Sequence, residues 1–144
     1  MHKDPLKALQ LHVGISLGCL RKTMVRGFAG CGQSRRRDVH LIPQMAETIA
    51  RDIAVTLVFS RDGAQVIRSR IEHHIGEVLT VVPDAMARAW AGVDATARDN
   101  ARQAITARIV ERLSERYAVT VQARPIIVPS AGVWCGLRDA QEET

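Results

Sequence analysis

Two stretches of the chain concentrate residues able to do chemistry: GFAGCGQS at 27–34, and the three arginines that follow it. Against the phosphate-loop spacing G-x-x-x-x-G-K-[ST], Gly27, Gly32 and Ser34 fall in register. Gln33, however, stands where a lysine must neutralise the β and γ phosphate oxygens. Pro43 also arrives too soon for the long helix whose amides would face a nucleotide. The stretch is therefore read as a flexible basic joint in which Arg35, Arg36 and Arg37 can hold an anion against a glycine-rich backbone.

His73, His74 and Glu77 invite a metal reading. Zinc sites of the H-E-x-x-H type need histidines four residues apart on one helical face, and adjacent histidines point about 100° apart. The expectation is a local His73–Glu77 contact on the solvent side, with His74 at the margin of the apolar face. Cys19, Cys31 and Cys135 form no C-x-x-C pair and are odd in number, which suggests neither a zinc site nor a disulfide framework and fits a reducing cytoplasm. Ser34 or Ser130 beside a distant histidine is a combination too common to mark a nucleophile. No catalytic residue, cofactor or metal is expected, and the chain reads as a non-enzyme.

A DNA-reading corner is the most specific alternative. A short helix at 84–91, a turn at Gly92-Val93 and a capped helix after Asp94 have helix-turn-helix order. Thr96, Arg98, Asn100, Arg102 and Gln103 would then face phosphates or base edges. Arg88 and Arg98 sit where a tight two-helix corner wants small or apolar residues, which weighs against it. So does the charge map. Residues 1–43 hold eight lysines and arginines against Asp4 and Asp38, whereas 44–144 hold twelve arginines and thirteen acids. The net charge of +5 thus resides in the N-terminal third, and long-range attraction to phosphate should act through it.

These residues must be positioned by a core poor in rings, since the chain has two Trp, two Phe and one Tyr. Ala, Val, Ile and Leu then favour closely packed helices. Asp4-Pro5 reads as an N-cap and first helical residue, with Leu6, Leu9, Val13, Leu17, Leu20 and Met24 forming one face of an amphipathic helix 4–25. Apolar periodicity disappears over 26–43. Met45, Ile49, Ile53 and Leu57 resume it, although IAVTLVF is β-branched enough for a strand. After SRDG, with Asp62 as cap, Ala64, Ile67, Ile71, Ile75, Val78 and Val82 define a core-facing helix. PDAMARAWAG predicts a short helix ended by Gly92. Asp94 caps a long one at 95–116 whose Ala97, Ala101, Ile105, Ile109, Leu113 and Tyr117 recur every fourth residue. Arg108 with Glu111 and Arg112 with Glu115 are spaced for surface pairing. YAVTVQA alternates like a strand, RPIIVPS is extended, and Trp134 heads a last segment that could dock.

The fold expected is mainly α: a small helical bundle with an extended or short β C-terminal segment, or alternatively α+β with strands near 53–59 and 117–128. Residues 1–43 read as a basic appendage (helix 4–25 plus flexible linker 26–43), and 44–144 as one compact domain. The function expected is a small binding, adaptor or regulatory protein working through amphipathic helix faces, with a protein partner or a second copy of itself. Nucleic acid and an anionic membrane surface, the latter met by residues 4–25, are the alternative partners.

Overall fold

The computed structural model describes residues 4–31 and 35–122. Six helices carry most of these residues: α1 (Pro5–Gly18), α2 (Lys22–Ala29), α3 (Ile42–Ala54), α4 (Arg68–Thr80), α5 (Asp84–Ala91) and α6 (Ala95–Arg116). A single 3-10 turn, Val39–Leu41, leads into α3, and a small sheet comprises β1 (Leu57–Arg61), β2 (Ala64–Gln65) and β3 (Ala118–Val121). The protein is mainly α with a short antiparallel β component.

Several boundaries follow from local chemistry visible in the sequence. Asp4 caps α1 by accepting from the Leu6 amide at 3.0 Å, with Pro5 at the first helical position. Asp94 caps α6 through the amides of Thr96 and Ala97. The four-residue repeat of α6 then buries Ala101, Ile105, Ile109, Leu113 and the following Tyr117. Both strand readings also survive in part. Helix α3 ends at Ala54, the chain becomes strand from Leu57, and β1 pairs with β3 in the register Leu57↔Val121 to Ser60↔Ala118.

The helix expected to start after Asp62 begins later, at Arg68. Asp62 and Gly63 have φ of 54° and 82°, the left-handed pair required by a two-residue hairpin turn, and they join β1 to β2. Asp62 is a turn residue, not a cap. The expected helix 4–25 is two helices, broken at Cys19–Arg21, because Gly18 ends α1 and the chain turns before α2.

The largest departure concerns residues 1–43, expected to be a separable appendage. Leu9, Val13 and Leu17 of α1, and Val25 and Phe28 of α2, belong to the same buried cluster as Met45, Ile49, Ile53, Ile75, Ile105 and Ile109. Helix α1 packs on both α3 and α6, and the buried Ser16 hydroxyl donates to Asp52 of α3 at 2.8 Å. The apolar face that suggested a membrane or partner helix is used inside the fold, leaving Leu6, Leu11 and Ile15 exposed. The described part of 26–43 is likewise no free linker. Gly30, at φ 80°, closes α2 as the Cys31 amide bonds back to Arg26 O; the Asp38 amide donates to Gly27 O, and Asp38 caps the 3-10 turn.

Candidate functional site

Arg37, grouped by sequence with Arg35 and Arg36 as an anion contact, is an internal clamp. Its Nε donates to Phe28 O at 3.2 Å, Nη1 to Val82 O at 2.6 Å and Nη2 to Leu79 O at 3.4 Å. One guanidinium thereby satisfies carbonyls at the C-terminal ends of both α2 and α4, which have no intrahelical donor. It also meets Asp84, the first residue of α5, at 3.0 Å, and lies 4.6 Å from the centre of the Phe28 ring. Arg35 and Arg36 stay on the exposed surface nearby. Gly27, the first glycine of the phosphate-loop spacing, lies inside α2, so a helix occupies the place where such a loop needs a strand. Gly32, Gln33 and Ser34 lie outside the described residues, as do Cys135, Ser130, Trp134 and the extended RPIIVPS segment.

The Phe28 ring meets Trp90 of α5 edge-on at 5.9 Å, and Trp90 forms part of the wall of a cleft of about 380 Å³. This cleft lies where the α1–α2 turn faces the α5–α6 corner. Its apolar wall is backed by Leu17, Val25 and Trp90, all buried, with Leu20 and Ala91 partly exposed beside them. Around that wall stand Lys22 and Arg26 of α2 and Arg98 and Arg102 of α6, against the single carboxylate of Asp99. The helical period places Lys22 with Arg26, and Arg98 with Arg102, on common faces four residues apart.

The internal partners of these cations are few. Arg98 donates to Gly92 O at 3.4 Å, and Arg102 approaches Asp99 at 3.5 Å. Arg26 donates to Cys31 O at 2.9 Å. Each guanidinium has five N–H donors, so capacity remains for an outside acceptor. One backbone feature favours negative charge. Helix α2 has neither a side-chain N-cap nor an acid in its first turn, leaving the positive end of its dipole uncompensated. Gly18 lets Arg102 lie across the end of α1: a Cβ there would stand 2.8 Å from Arg102 Nη1.

Of the residues assigned to a DNA-facing corner, Arg98 and Arg102 turn into this cleft, while Thr96, Asn100 and Gln103 are exposed elsewhere on α6. From Asn100 to Glu115 the exposed positions are Asn100, Gln103, Ala107, Arg108, Glu111 and Glu115, one cation against two carboxylates. That ridge lacks the positive footprint of a duplex reader. Sequence reasoning did not find Lys22, Arg26 and Trp90, because nothing in local spacing couples positions seventy residues apart.

The histidine pair sits at a separate α4–α6 contact. His73 is exposed and meets Glu77 at 3.3 Å, as its spacing suggested. His74 is nearly buried, edge-on to Tyr117 at 5.5 Å, and its Nδ1 has no hydrogen-bond partner; Glu77 is 3.8 Å away. Arg112 bridges to Glu77 rather than to Glu115 as its spacing implied, and Arg108 makes no ion pair with Glu111. Burial first, then the Arg112 and Arg116 charges, hold His74 below the ordinary histidine pKa. Among the described residues no three His, Cys, Asp or Glu side chains are grouped to hold a metal ion, and no helix is long and apolar enough to cross a membrane. The chain matches no protein-family model, no curated protein and no solved structure.

Proposed function

We propose that this is a small non-enzymatic binding protein that presents the cleft between α1–α2 and α5–α6 to a negatively charged partner, on a helical frame that also self-associates. The observation that carries the binding role is the convergence of Lys22, Arg26, Arg98 and Arg102, from two helices distant in sequence, around one cleft. Such a site attracts anions over several ångströms and holds them by charge-assisted hydrogen bonds.

A panel of inorganic phosphate, citrate, phenyl phosphate, polyglutamate and duplex DNA, followed by thermal unfolding, tests this role. At least one anion should raise the Tm saturably. The increase should vanish in Arg98→Ser/Arg102→Ser. No stabilisation by any of them, or equal stabilisation of the variant, contradicts the reading. Duplex binding that survives in the variant and depends on base sequence would restore the helix-turn-helix.

Support for self-association comes from Leu11 and Ile15, one turn apart on α1 and exposed at 60% and 52% beside a groove of about 410 Å³. Light scattering over a dilution series should show a dimer dissociating. A monomeric mass at high concentration contradicts this part of the proposal.

A further inference from the structure

Building on the binding role above, we propose that the cationic cleft is the docking place of the chain's own acidic stretch DAQEE, residues 139–143, which competes there with outside anions and so restrains the site. Charge complementarity is the first ground. The cleft presents Lys22, Arg26, Arg98 and Arg102, with Asp99 the one acid among the described residues that line it. Asp139, Glu142 and Glu143 bring three carboxylates with no cation among them, and so offer separate acceptors to α2 and to α6. Other hollows suit that stretch less. The groove between α3 and α4 presents Glu72 and Glu77, and the exposed ridge of α6 is net acidic.

The place where the chain leaves the described fold is the second ground. The Gln122 amide donates to Thr56 O at 2.8 Å, which fixes that departure just beyond the end of α3. One turn earlier in the chain, Asp52 accepts from Ser16 of α1 at 2.8 Å, and Ser16 is two residues from Gly18, which lines the cleft. Sixteen residues separate Gln122 from Asp139. At about 3.3 Å per residue such a spacer can reach roughly 50 Å, more than the roughly 30 Å diameter of a small domain. Exposed carboxylate–guanidinium pairs are weak one by one, but a tether of this kind keeps the acids near the cleft at an effective concentration on the order of millimolar. The contact should therefore be reversible, weakened by salt and displaced by a partner richer in negative charge.

The test uses the full chain in two forms of measurement. Carbodiimide coupling at low salt and high dilution joins amines to carboxylates in contact, and the chain has lysines only at 3, 7 and 22. Mass spectrometry should find Lys22 joined to Glu142, Glu143 or Asp139 within one chain, in a yield that falls as salt rises. Calorimetric titration with citrate at constant ionic strength should then show Asp139→Asn/Glu142→Gln/Glu143→Gln binding about threefold or more tightly than the parent. The control Glu47→Gln/Glu111→Gln/Glu115→Gln removes equal charge from exposed sites outside the cleft and should match the parent. No link to Lys22, with equal citrate affinity in parent and acid-free variant, would overturn the internal contact and leave the anion-binding role standing. Links to Lys22 found only between chains would also overturn it. Citrate bound by neither parent nor acid-free variant, with no link to Lys22, would overturn both.

Discussion

Arg37 and Arg102 both sit at helix ends, and each has a carboxylate within reach, yet they serve opposite purposes. The first is only 19% exposed and distributes its donors over three backbone carbonyls and Asp84. The second, nearly twice as exposed, has one distant carboxylate and faces a cleft with three further cations. A guanidinium surrounded by orphaned helix carbonyls is structural cement. One set beside a cleft, with a single distant carboxylate, keeps most of its donors unspent. The difference lies in the acceptors the fold brings to each, not in the arginine.

The largest effect should follow from removing the clamp. Arg37→Ala strands the carbonyls of Phe28 and Val82, removes a second donor from Leu79 O, and should cost about 2–4 kcal/mol in urea unfolding. Arg37→Lys should recover little, because an ammonium cannot reproduce the planar fork. Arg98→Ala/Arg102→Ala should change stability by no more than about 1 kcal/mol. If the two variants ranked in the reverse order, the contrast between clamp and cleft would fail.

Next in size is Gly30→Ala. It forces a Cβ onto a φ of 80° and to within 3.1 Å of the Arg37 amide, for an expected loss of about 1–2 kcal/mol. An unchanged midpoint would show that the α2 terminus does not rely on this conformation.

His74 supplies a pH dependence independent of both arginines. Because its folded pKa lies below the unfolded value of about 6.5, the unfolded chain takes up its proton first as pH falls. The stability associated with a neutral His74 is full above that pH and declines as pH drops toward the folded pKa. In His74→Phe, which keeps a ring against Tyr117, the slope of unfolding free energy against pH between about 7 and 5 should flatten. A slope identical to that of the parent would remove His74 as its source.

The smallest effect on stability should come from Gly18→Ala. The added methyl meets only the mobile tip of Arg102, so the fold should be unchanged within about 1 kcal/mol while anion affinity falls. Affinity equal to that of the parent would mean that Arg102 need not lie across the end of α1.

Much of the helical frame could be read from the chain, because caps and apolar periodicity are local signals. Asp4-Pro5, Asp94 and the four-residue repeat from Ala101 to Tyr117 delivered α1's start and all of α6. The hairpin was also legible: Asp62-Gly63 after a β-branched run is a turn signature that periodicity from Ala64 onward obscured. The fate of α1 was not legible, since an amphipathic face states that something covers it and not what. Nor was the cleft, which joins Lys22 and Arg26 to Arg98 and Arg102 only through the packing of α2 on α5 and of α1 on α6. Counting charge along the chain put the basic character in a tail; folding distributes it among a clamp, a surface loop and a ligand-sized hollow.

Nuclear magnetic resonance of the arginine Nε–H groups, recorded during a titration with phenyl phosphate, addresses the contrast between clamp and cleft most directly. The Arg37 signal should exchange slowly with water and stay in place, while those of Arg98 and Arg102 should exchange quickly at first and shift as the anion binds. A freely exchanging Arg37 that follows the titration, with the two α6 arginines protected and unmoved, would contradict the account.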